Sequence, residues 1–293
     1  MPIFPTPDPI TVTIDLFVAD VRITASERAD TSVEVRPRDQ GRSADVKAVE
    51  RIQLEHSDGR LLIKGPRRYF HLGIGRREAV DVTIELPAGS HLFGEVGLGG
   101  FRAEGRLGEC RIKTGSGDIN LERTGALSLD TGIGNIVAGH AAGDAHIATG
   151  TGAVSIGGID GKAAIKNSNG ATKIGEITGY LQLSAANGDI SVGRAHAAVV
   201  AKTANGNVRV DEIMRGSVVL ETACGEVEVG IREGTAVWLD VSSKRGTVRN
   251  SLEAHDGPAQ SDETAEVRAR TAYGDIVIRR SAKLISQAGG PTP

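Results

Sequence analysis

The sequence predicts an all-β fold, a single-chain β-solenoid (β-helix) of about ten coils with an N-terminal β cap. Three observations predict it: a ten-residue phrase recurs about every eighteen residues, its apolar positions alternate with polar ones, and a glycine stands at its sixth position. A fixed period below about fifty residues is typical of solenoids, propellers and arrays. The predicted structural turn glycines are Gly99, Gly117, Gly134, Gly152, Gly170, Gly188, Gly206, Gly225, Gly246 and Gly274.

The clearest copy of the phrase runs from Ile112 to Leu121. Its first, eighth and tenth positions are apolar, and residues of the same kind recur there in almost every copy. Alternation with a period of two is typical of β-strands that turn one face inward. Each copy therefore predicts two short strands joined at the glycine. Because Gly and Asn tolerate positive φ best, we expect a left-handed corner there.

Two arrangements of these strands compete. Asn-Gly pairs begin at Asn169, Asn187 and Asn205, and Asn-Gly is the strongest short hairpin signal, which would give an antiparallel meander. Parallel stacking would instead place like on like, with the three asparagines in a ladder about 4.8 Å apart. We predict stacking, because one coil cannot bury its apolar face alone and neighbouring coils can. A second row would then form from the threonines at position three: Thr114, Thr131, Thr149, Thr203, Thr222 and Thr271.

Three regions are predicted along the chain. Residues 1–90 form the β cap, with a degenerate first coil in which Ala19 replaces the central glycine. Residues 91–279 form the solenoid repeats and end in a capping coil, and residues 280–293 form a flexible tail. The polar stretch 251–268 breaks the period and indicates a long loop. Within the cap, alternation predicts strands at 32–36, 52–55, 60–64 and 79–86.

Composition narrows the class of protein. Aromatic residues are 3% of the chain, which fits a thin stacked core of aliphatic side chains. The net charge of −3, with both signs mixed, argues against a nucleic-acid binder. The N-terminus has no basic start and no apolar core of a signal peptide, and no apolar run reaches the length of a transmembrane helix. We therefore expect a cytoplasmic protein, with a surface location only by an export route that the sequence does not reveal.

Two cysteines, Cys110 and Cys224, are too few for a disulfide scaffold in a chain of 293 residues. In the solenoid they belong to coils six steps apart, a separation of about 29 Å at the usual strand spacing. We expect both to be unpaired thiols.

The most distinctive segment outside the repeats is residues 67–77, which hold four arginines and two aromatic residues. One interpretation is a basic loop that binds a partner, and the other is a surface loop whose arginines keep it soluble. The residues of this partner-binding candidate are Arg67, Arg68, Tyr69, Phe70, Arg76 and Arg77.

Tests for chemistry give no catalytic, cofactor-binding or metal-binding residues. Calcium sites in solenoids need an acid in register on successive turns, and only four of the ten copies have one at position seven. We expect those Asp and Asn side chains to hydrogen-bond their own turns. The histidines lack zinc-site spacing, and the glycines do not form a phosphate loop or a dinucleotide fingerprint. An outward row mixes signs and sizes, as a solvated face does: Lys113, Asp130, Ala148, Lys166, Ser184, Lys202 and Glu221.

Several motifs resemble the putative adhesin family of bacterial β-strand-repeat domains, a domain of unknown function. They are Asp-Val-Arg-Ile at 20–23, the stretch from Asp81 to Ser90, and Thr-x-x-Gly-Asp-Ile at 114–119 and 271–276. The resemblance covers about residues 10–279. It implies a β-helical fold without catalytic residues, and the family's name implies a surface role.

The sequence thus predicts a non-catalytic scaffold or protein-interaction module of a bacterial cell. We expect a protein partner, which the sequence does not identify, and a monomer or weak oligomer. The alternatives are a surface adhesin or carbohydrate-binding protein and, third, a polysaccharide-modifying enzyme.

Overall fold

The computed structural model describes residues 2–66, 78–253 and 263–281. It confirms the predicted all-β solenoid. Each regular coil contributes one strand to sheet A and one to sheet B, and the chain passes from B to A at the glycine corner. The thin core lies between the two sheets.

The described N-terminal residues form six strands and one helix, arranged around the longest of these strands, residues 11–26. That strand runs across both sheets: residues 11–18 pair in sheet B and residues 19–26 pair in sheet A. The elements are β1 (Ile3–Pro5), β2 (Thr11–Ser26), β3 (Asp30–Pro37), α1 (Ser43–Glu50), β4 (Gln53–Ser57), β5 (Arg60–Lys64) and β6 (Val80–Pro87).

The helix α1 was not predicted from the sequence. It has eight residues, which is too short for a 3.6-residue period to show, and its stability comes from packing on β3 and β6. The Asp45 side chain is fully buried and accepts a hydrogen bond from the backbone N–H of Ala79 at 3.1 Å.

The regular coils follow, with odd-numbered strands in sheet B and even-numbered strands in sheet A. Their bounds are β7 (His91–Leu98), β8 (Phe101–Arg106), β9 (Cys110–Ser116), β10 (Ile119–Thr124), β11 (Leu127–Ile133), β12 (Ile136–Ala141), β13 (Ala145–Thr151), β14 (Val154–Ile159), β15 (Ala163–Asn169), β16 (Thr172–Ile177), β17 (Leu181–Asn187), β18 (Ile190–Ala195), β19 (Val199–Asn205), β20 (Val208–Ile213), β21 (Gly216–Cys224) and β22 (Val227–Ile231).

The pairing of these strands is parallel and in register, so the stack is confirmed and the hairpin meander is wrong. Asn169 lies opposite Asn187, which in turn lies opposite Asn205. Their side chains form the predicted ladder, because Asn187 Nδ2 donates to Asn169 Oδ1 and Asn205 Nδ2 donates to Asn187 Oδ1, both at 2.8 Å.

In each coil the inward side chains form a core that is only one residue thick. Ile112, Ile119 and Leu121 are each 1% exposed or less, and burial of one such side chain contributes about 1.5–3 kcal/mol. The core also holds one large aromatic residue, Phe101. It fits because Gly94 faces it: a Cβ at Gly94 would lie 2.6 Å from the ring.

The C-terminal coils do not stack in chain order. The last strands are β23 (Thr235–Arg245), β24 (Val248–Asn250), β25 (Glu263–Tyr273) and β26 (Ile276–Arg280). β25 pairs with β21 on one side and with β23 on the other, and β26 likewise lies between β22 and β24. The final coil of the chain is therefore internal, and residues 235–250 form the outermost coil.

This order differs from the capping coil that the sequence predicts at the C-terminus. Val267, Ile276 and Ile278 are fully buried because a coil covers them on each side, whereas Val237 and Leu239 in β23 are only half-buried. An alternating pattern reveals which side chains point inward. The pattern carries no information about which coils are neighbours, so the sequence did not reveal that the last two coils exchange places in the stack.

The N-terminal end shows the same exchange. β2 lies between β5 and β7 in sheet B, and between β6 and β8 in sheet A. The first coil of the chain is therefore the second coil of the stack, and Ala19 takes the glycine position directly beneath Gly99.

Candidate interaction surface

The outer face of sheet B carries the row of residues that the sequence predicts to point outward. Strand pairing aligns Lys113 with Asp130, Lys166 with Ser184, and so on across the sheet. The row continues beyond Glu221 to Arg270 and then to Ser242, because β25 and β23 follow β21 in the stack. Successive members lie about 4.8 Å apart, the usual spacing of strands.

Two clefts lie over this face. The smaller, of about 450 Å³, crosses β11 to β17 and is lined by His146, Lys166 and Gln182 among others. The larger, of about 910 Å³, crosses β19, β21, β25 and β23 at the C-terminal end. Small side chains form the floor of each cleft, and charged side chains stand beside them. The floor residues include Ala148, Ala164 and Ser184 in the smaller cleft and Ala204, Ala223 and Ala272 in the larger.

The charged side chains of the larger cleft form ion pairs with one another. Lys202 Nζ lies 2.9 Å from a Glu221 carboxylate oxygen, and Arg270 lies 3.3 Å from Asp240. All four side chains are at least 40% exposed, and exposed pairs of this kind contribute little to folding stability. The four side chains are therefore accessible to a bound molecule, which would compete with the ion pairs for their charges.

The ten predicted turn glycines form one column along the corner between the sheets. A Cβ at any of them from Gly117 onward would lie 1.9–2.2 Å from the carbonyl oxygen of the corner glycine in the coil below. Gly274 stacks on Gly225, and Gly246 stacks on Gly274, so the column follows the exchanged order of the last two coils. This close approach of the backbones requires glycine at each of these positions, whereas the coil of β2, which lies beneath Gly99, has Ala19 there.

The backbone at this corner is not in the left-handed α conformation that the sequence suggested. Nine of the ten glycines have φ between 129° and 156°, and Gly246 has no φ in the positive region. The left-handed α value is about 57°. The corner instead uses a φ that side chains rarely allow, because the strand leaves the turn nearly extended.

The threonines at position three have a role that the sequence did not reveal. Each Oγ1 donates to the carbonyl oxygen of the corner glycine below, as Thr222 does to Gly206 at 2.8 Å and Thr271 does to Gly225 at 2.9 Å. Asn167 replaces threonine in its own coil and makes the same contact with Gly152 at 3.1 Å. These side chains satisfy a buried acceptor at each step of the stack.

The Asp and Asn side chains at position seven bond to the next coil, so the expectation that they bond to their own turns is wrong. Asp118 Oδ1 accepts the backbone N–H of Asn135 at 2.7 Å, and Asp189 Oδ1 accepts that of Asn207 at 2.7 Å. The contact joins neighbouring coils, which a reading of one repeat at a time does not show.

Other polar groups are spread over the surface. The Arg28 guanidinium holds the pKa of Asp30 and of Glu85 below their usual values through hydrogen bonds at the N-terminal end. His196 lies 2.6 Å from Glu176, and Arg194 lies 2.7 Å from the same carboxylate. Over residues 2–66, 78–253 and 263–281, no three His, Cys, Asp or Glu side chains are grouped to hold a metal ion.

The strand register places Cys110 and Cys224 in coils six steps apart, as predicted. Both thiols are unpaired. Cys110 is buried, and burial raises the pKa of its thiol to about 12, whereas Cys224 is exposed.

The arginine-rich candidate, residues 67–77, lies outside the residues that the structure describes. The sequence did reveal the row on sheet B, but it assigned that row to a solvated face. The floor of alanines was visible as a recurrence of small residues. The clefts above it are formed by side chains of several coils together, which the sequence of one repeat does not show.

In the described part of the chain, no helix has the length and apolarity needed to cross a membrane. The fold and this surface define the class: a repeat protein of the parallel β-solenoid type. The sequence profile of the Toastrack DUF4097 family matches residues 11–281, so the chain belongs to this family of unknown function. That finding confirms the predicted resemblance.

Several solved structures align with nearly the whole chain. A putative cell adhesion protein from Clostridium sporogenes shares 12% identity over 95% of this chain and 98% of that chain, with a TM-score of 0.25. A putative lipid binding protein from Parabacteroides distasonis shares 11% identity over 94% and 95%, with a TM-score of 0.38. A putative adhesin from Parabacteroides merdae shares 13% identity over 94% of each chain, with a TM-score of 0.31. No curated protein is significantly similar in sequence.

Proposed function

We propose that this protein is a non-catalytic interaction module of a bacterial cell, which binds an extended segment of a protein partner along the outer face of sheet B. One observation carries the proposal: both clefts lie on that face, above a floor of small residues and beside one charged row. A small floor lets a ligand backbone approach closely. The row supplies charges at regular intervals, which suits a repeating polymer more than a compact small molecule.

The spacing of the row specifies the partner further. Lys166 and Lys202 are separated by Ser184, so their positions differ by two strand spacings, about 9.6 Å. A peptide in the extended polyproline II conformation rises about 3.1 Å per residue with three residues per turn, so side chains three residues apart point to the same side and lie about 9.3 Å apart. We therefore expect a segment with acidic side chains three residues apart, lying along the solenoid axis.

The two lysines of one coil provide a matched test. Lys166 on β15 points outward from sheet B, and Lys173 on β16 points outward from sheet A. We expect Lys166→Glu to weaken binding of partner proteins from the native cell, and Lys173→Glu to leave it unchanged. A photo-cross-linker at each position, with peptide identification by mass spectrometry, should yield acidic segments at 166 and none at 173. Equal labelling at the two positions contradicts the proposal.

The same assay decides the second candidate, a surface adhesin or carbohydrate-binding protein. Binding to glycans that Lys166→Glu abolishes, without any cross-linked peptide, would favour that candidate over the protein partner. Turnover of a bound polysaccharide would favour the third, a polysaccharide-modifying enzyme.

We place this module in the cytoplasm. The exposed unpaired thiol of Cys224 supports that location, because oxidising compartments favour disulfides and the cytosol keeps thiols reduced. Fractionation of native cells tests it, and recovery at the cell surface would favour the adhesin.

A further inference from the structure

The two ends of the solenoid are protected to different degrees. At the N-terminal end, sheet A finishes with β3 and the three-residue β1, which ends at Pro5, and sheet B finishes with the short strand β4. All three run antiparallel to the strand they border. Short edge strands, proline and charged side chains are devices that block pairing with another chain.

The edge strand at the C-terminal end has only the charged side chains among these devices. β23 has eleven residues without proline or glycine, and among the described residues it pairs only with β25. Its inward residues Val237, Leu239 and Val241 are half-buried, whereas inward residues of the internal coils are buried. Trp238 on its outer side is 75% exposed. A long edge of this composition is a template for strand addition.

We infer that this edge pairs with the same edge of a second copy, so that two solenoids join end to end in a two-fold dimer. In such an isologous contact the same patch serves both subunits. Because a two-fold axis across the edge makes the joined strands antiparallel, the two copies of sheet B become one continuous sheet. The protected N-terminal ends point away from each other, so the assembly closes at two.

Charge selects the register of the joined strands. A pairing centred on Asp240 would place two carboxylates opposite each other, which is destabilising. Centring the pair on Ser242 instead places Asp240 opposite the partner's Lys244 at two symmetric positions, an arrangement of opposite charges. The same register lays the exposed Trp238 ring over the backbone at the partner's Gly246, a cross-strand aromatic–glycine contact of the kind that stabilises edges.

The dimer also completes the larger cleft. Asp240, Ser242 and Lys244 line its outer side, so the joined strands carry the charged row from one copy into the next. The contact itself is independent of the proposed partner binding, since it is formed by the chain with itself.

Light scattering over a range of concentrations tests this inference on the full chain. We expect a monomer–dimer equilibrium without larger species. Ser242→Lys places two ammonium groups opposite each other at the two-fold axis and should weaken dimerisation about tenfold or more. Ser184→Lys is the matched control, because Ser184 is an exposed serine of the same outward row in an internal coil. It should leave the dimer unchanged.

A cross-link tests the register. In a Cys224→Ser background, Ser242→Cys should form a disulfide-linked dimer on mild oxidation, and Ser184→Cys should not. A full chain that stays monomeric while the β23 amides exchange slowly would show that the chain covers its own edge, and the inference fails. A dimer that neither Ser242→Lys nor Ser242→Cys affects would place the interface elsewhere and overturns it equally. Either outcome leaves the Lys166 assay of partner binding unaffected.

Discussion

At the scale of single residues, the corner between the sheets is a repeated hydrogen-bonded unit. Each regular coil supplies a glycine that allows the close backbone contact, most supply a threonine that bonds the glycine carbonyl below, and many supply an Asp or Asn that accepts an N–H from the next coil. The three residues fix the rise from one coil to the next. They also explain why these positions recur from coil to coil.

Substitutions at Gly188 and Asp189 test separately how much the steric contact and the polar contact of this unit contribute to stability. A Cβ at Gly188 would lie 2.1 Å from the carbonyl oxygen of Gly170, and its φ is 139°. We expect Gly188→Val to destabilise the fold by about 3 kcal/mol or more. Asp189→Ala removes one hydrogen bond to an exposed N–H and should destabilise it by about 1 kcal/mol. Chemical denaturation of both variants checks the order, and equal midpoints would contradict the close contact.

The two thiols should differ sharply in reactivity. The thiolate is the reactive form, and burial both raises the pKa of Cys110 to about 12 and shields it from reagents. We expect a maleimide to label Cys224 in the native protein and leave Cys110 unlabelled, with both labelled in denaturant. Mass spectrometry of tryptic peptides measures this, and the Cys224→Ser variant serves as the control. Equal labelling of both thiols in the native state would contradict the register that buries Cys110.

The sequence predicted the positions of these residues better than their contacts. Recurrence located the corner glycines and the Asn169–Asn187–Asn205 ladder, because stacked coils repeat the same chemistry. The partner of Asp189 was missed since it lies eighteen residues away along the chain. A turn residue considered within one repeat has only its own backbone as a partner.

At the scale of elements, the N-terminal cap depends on a helix that the sequence pattern does not predict. The fully buried carboxylate of Asp45 bonds the backbone N–H of Ala79 and, at 3.3 Å, that of Asp39. It thereby joins the start of α1 to the segment that leads into β6. This buried polar contact adds to the packing of α1 on β3 and β6 in holding the cap together.

Asp45→Ala should therefore destabilise the protein by about 1–3 kcal/mol, because it leaves buried N–H groups without an acceptor. Val46→Ala is the control in the same helix, since Val46 is partly exposed, and it should change stability by less than about 0.5 kcal/mol. Thermal unfolding followed by circular dichroism compares the two. Similar melting temperatures would show that the carboxylate does not hold the cap.

At the scale of the whole molecule, the order of coils in the chain and in the stack differ at both ends. β2 and the pair β25–β26 lie one coil inside the ends that they were expected to form. The last coil of the chain lies between two coils that precede it in sequence. It can therefore join the stack only after residues 235–250 have been synthesised and have left a gap for it. Non-local pairing of this kind slows folding, and it ties the terminus of the chain into the core.

A chain that ends after Val229 tests what the exchanged coils protect. In the full chain the inward residues Val218, Leu220 and Val227 are fully buried, because β25 and β26 cover them. Truncation would turn β21 and β22 into edge strands and expose these side chains, without the charges and the partial cover that β23 brings. Such an edge templates further pairing, and repeat proteins need specialised terminal units to remain soluble.

We expect the truncated chain to form large aggregates, while the full chain remains discrete. Light scattering at equal concentrations compares them, and far-ultraviolet circular dichroism shows whether the truncated chain keeps its β structure. Aggregates that retain β structure would indicate growth from the new edge. A monodisperse truncated monomer would contradict the protective role of residues 235–281, and would leave partner binding as the reason for the clefts and charges at this end.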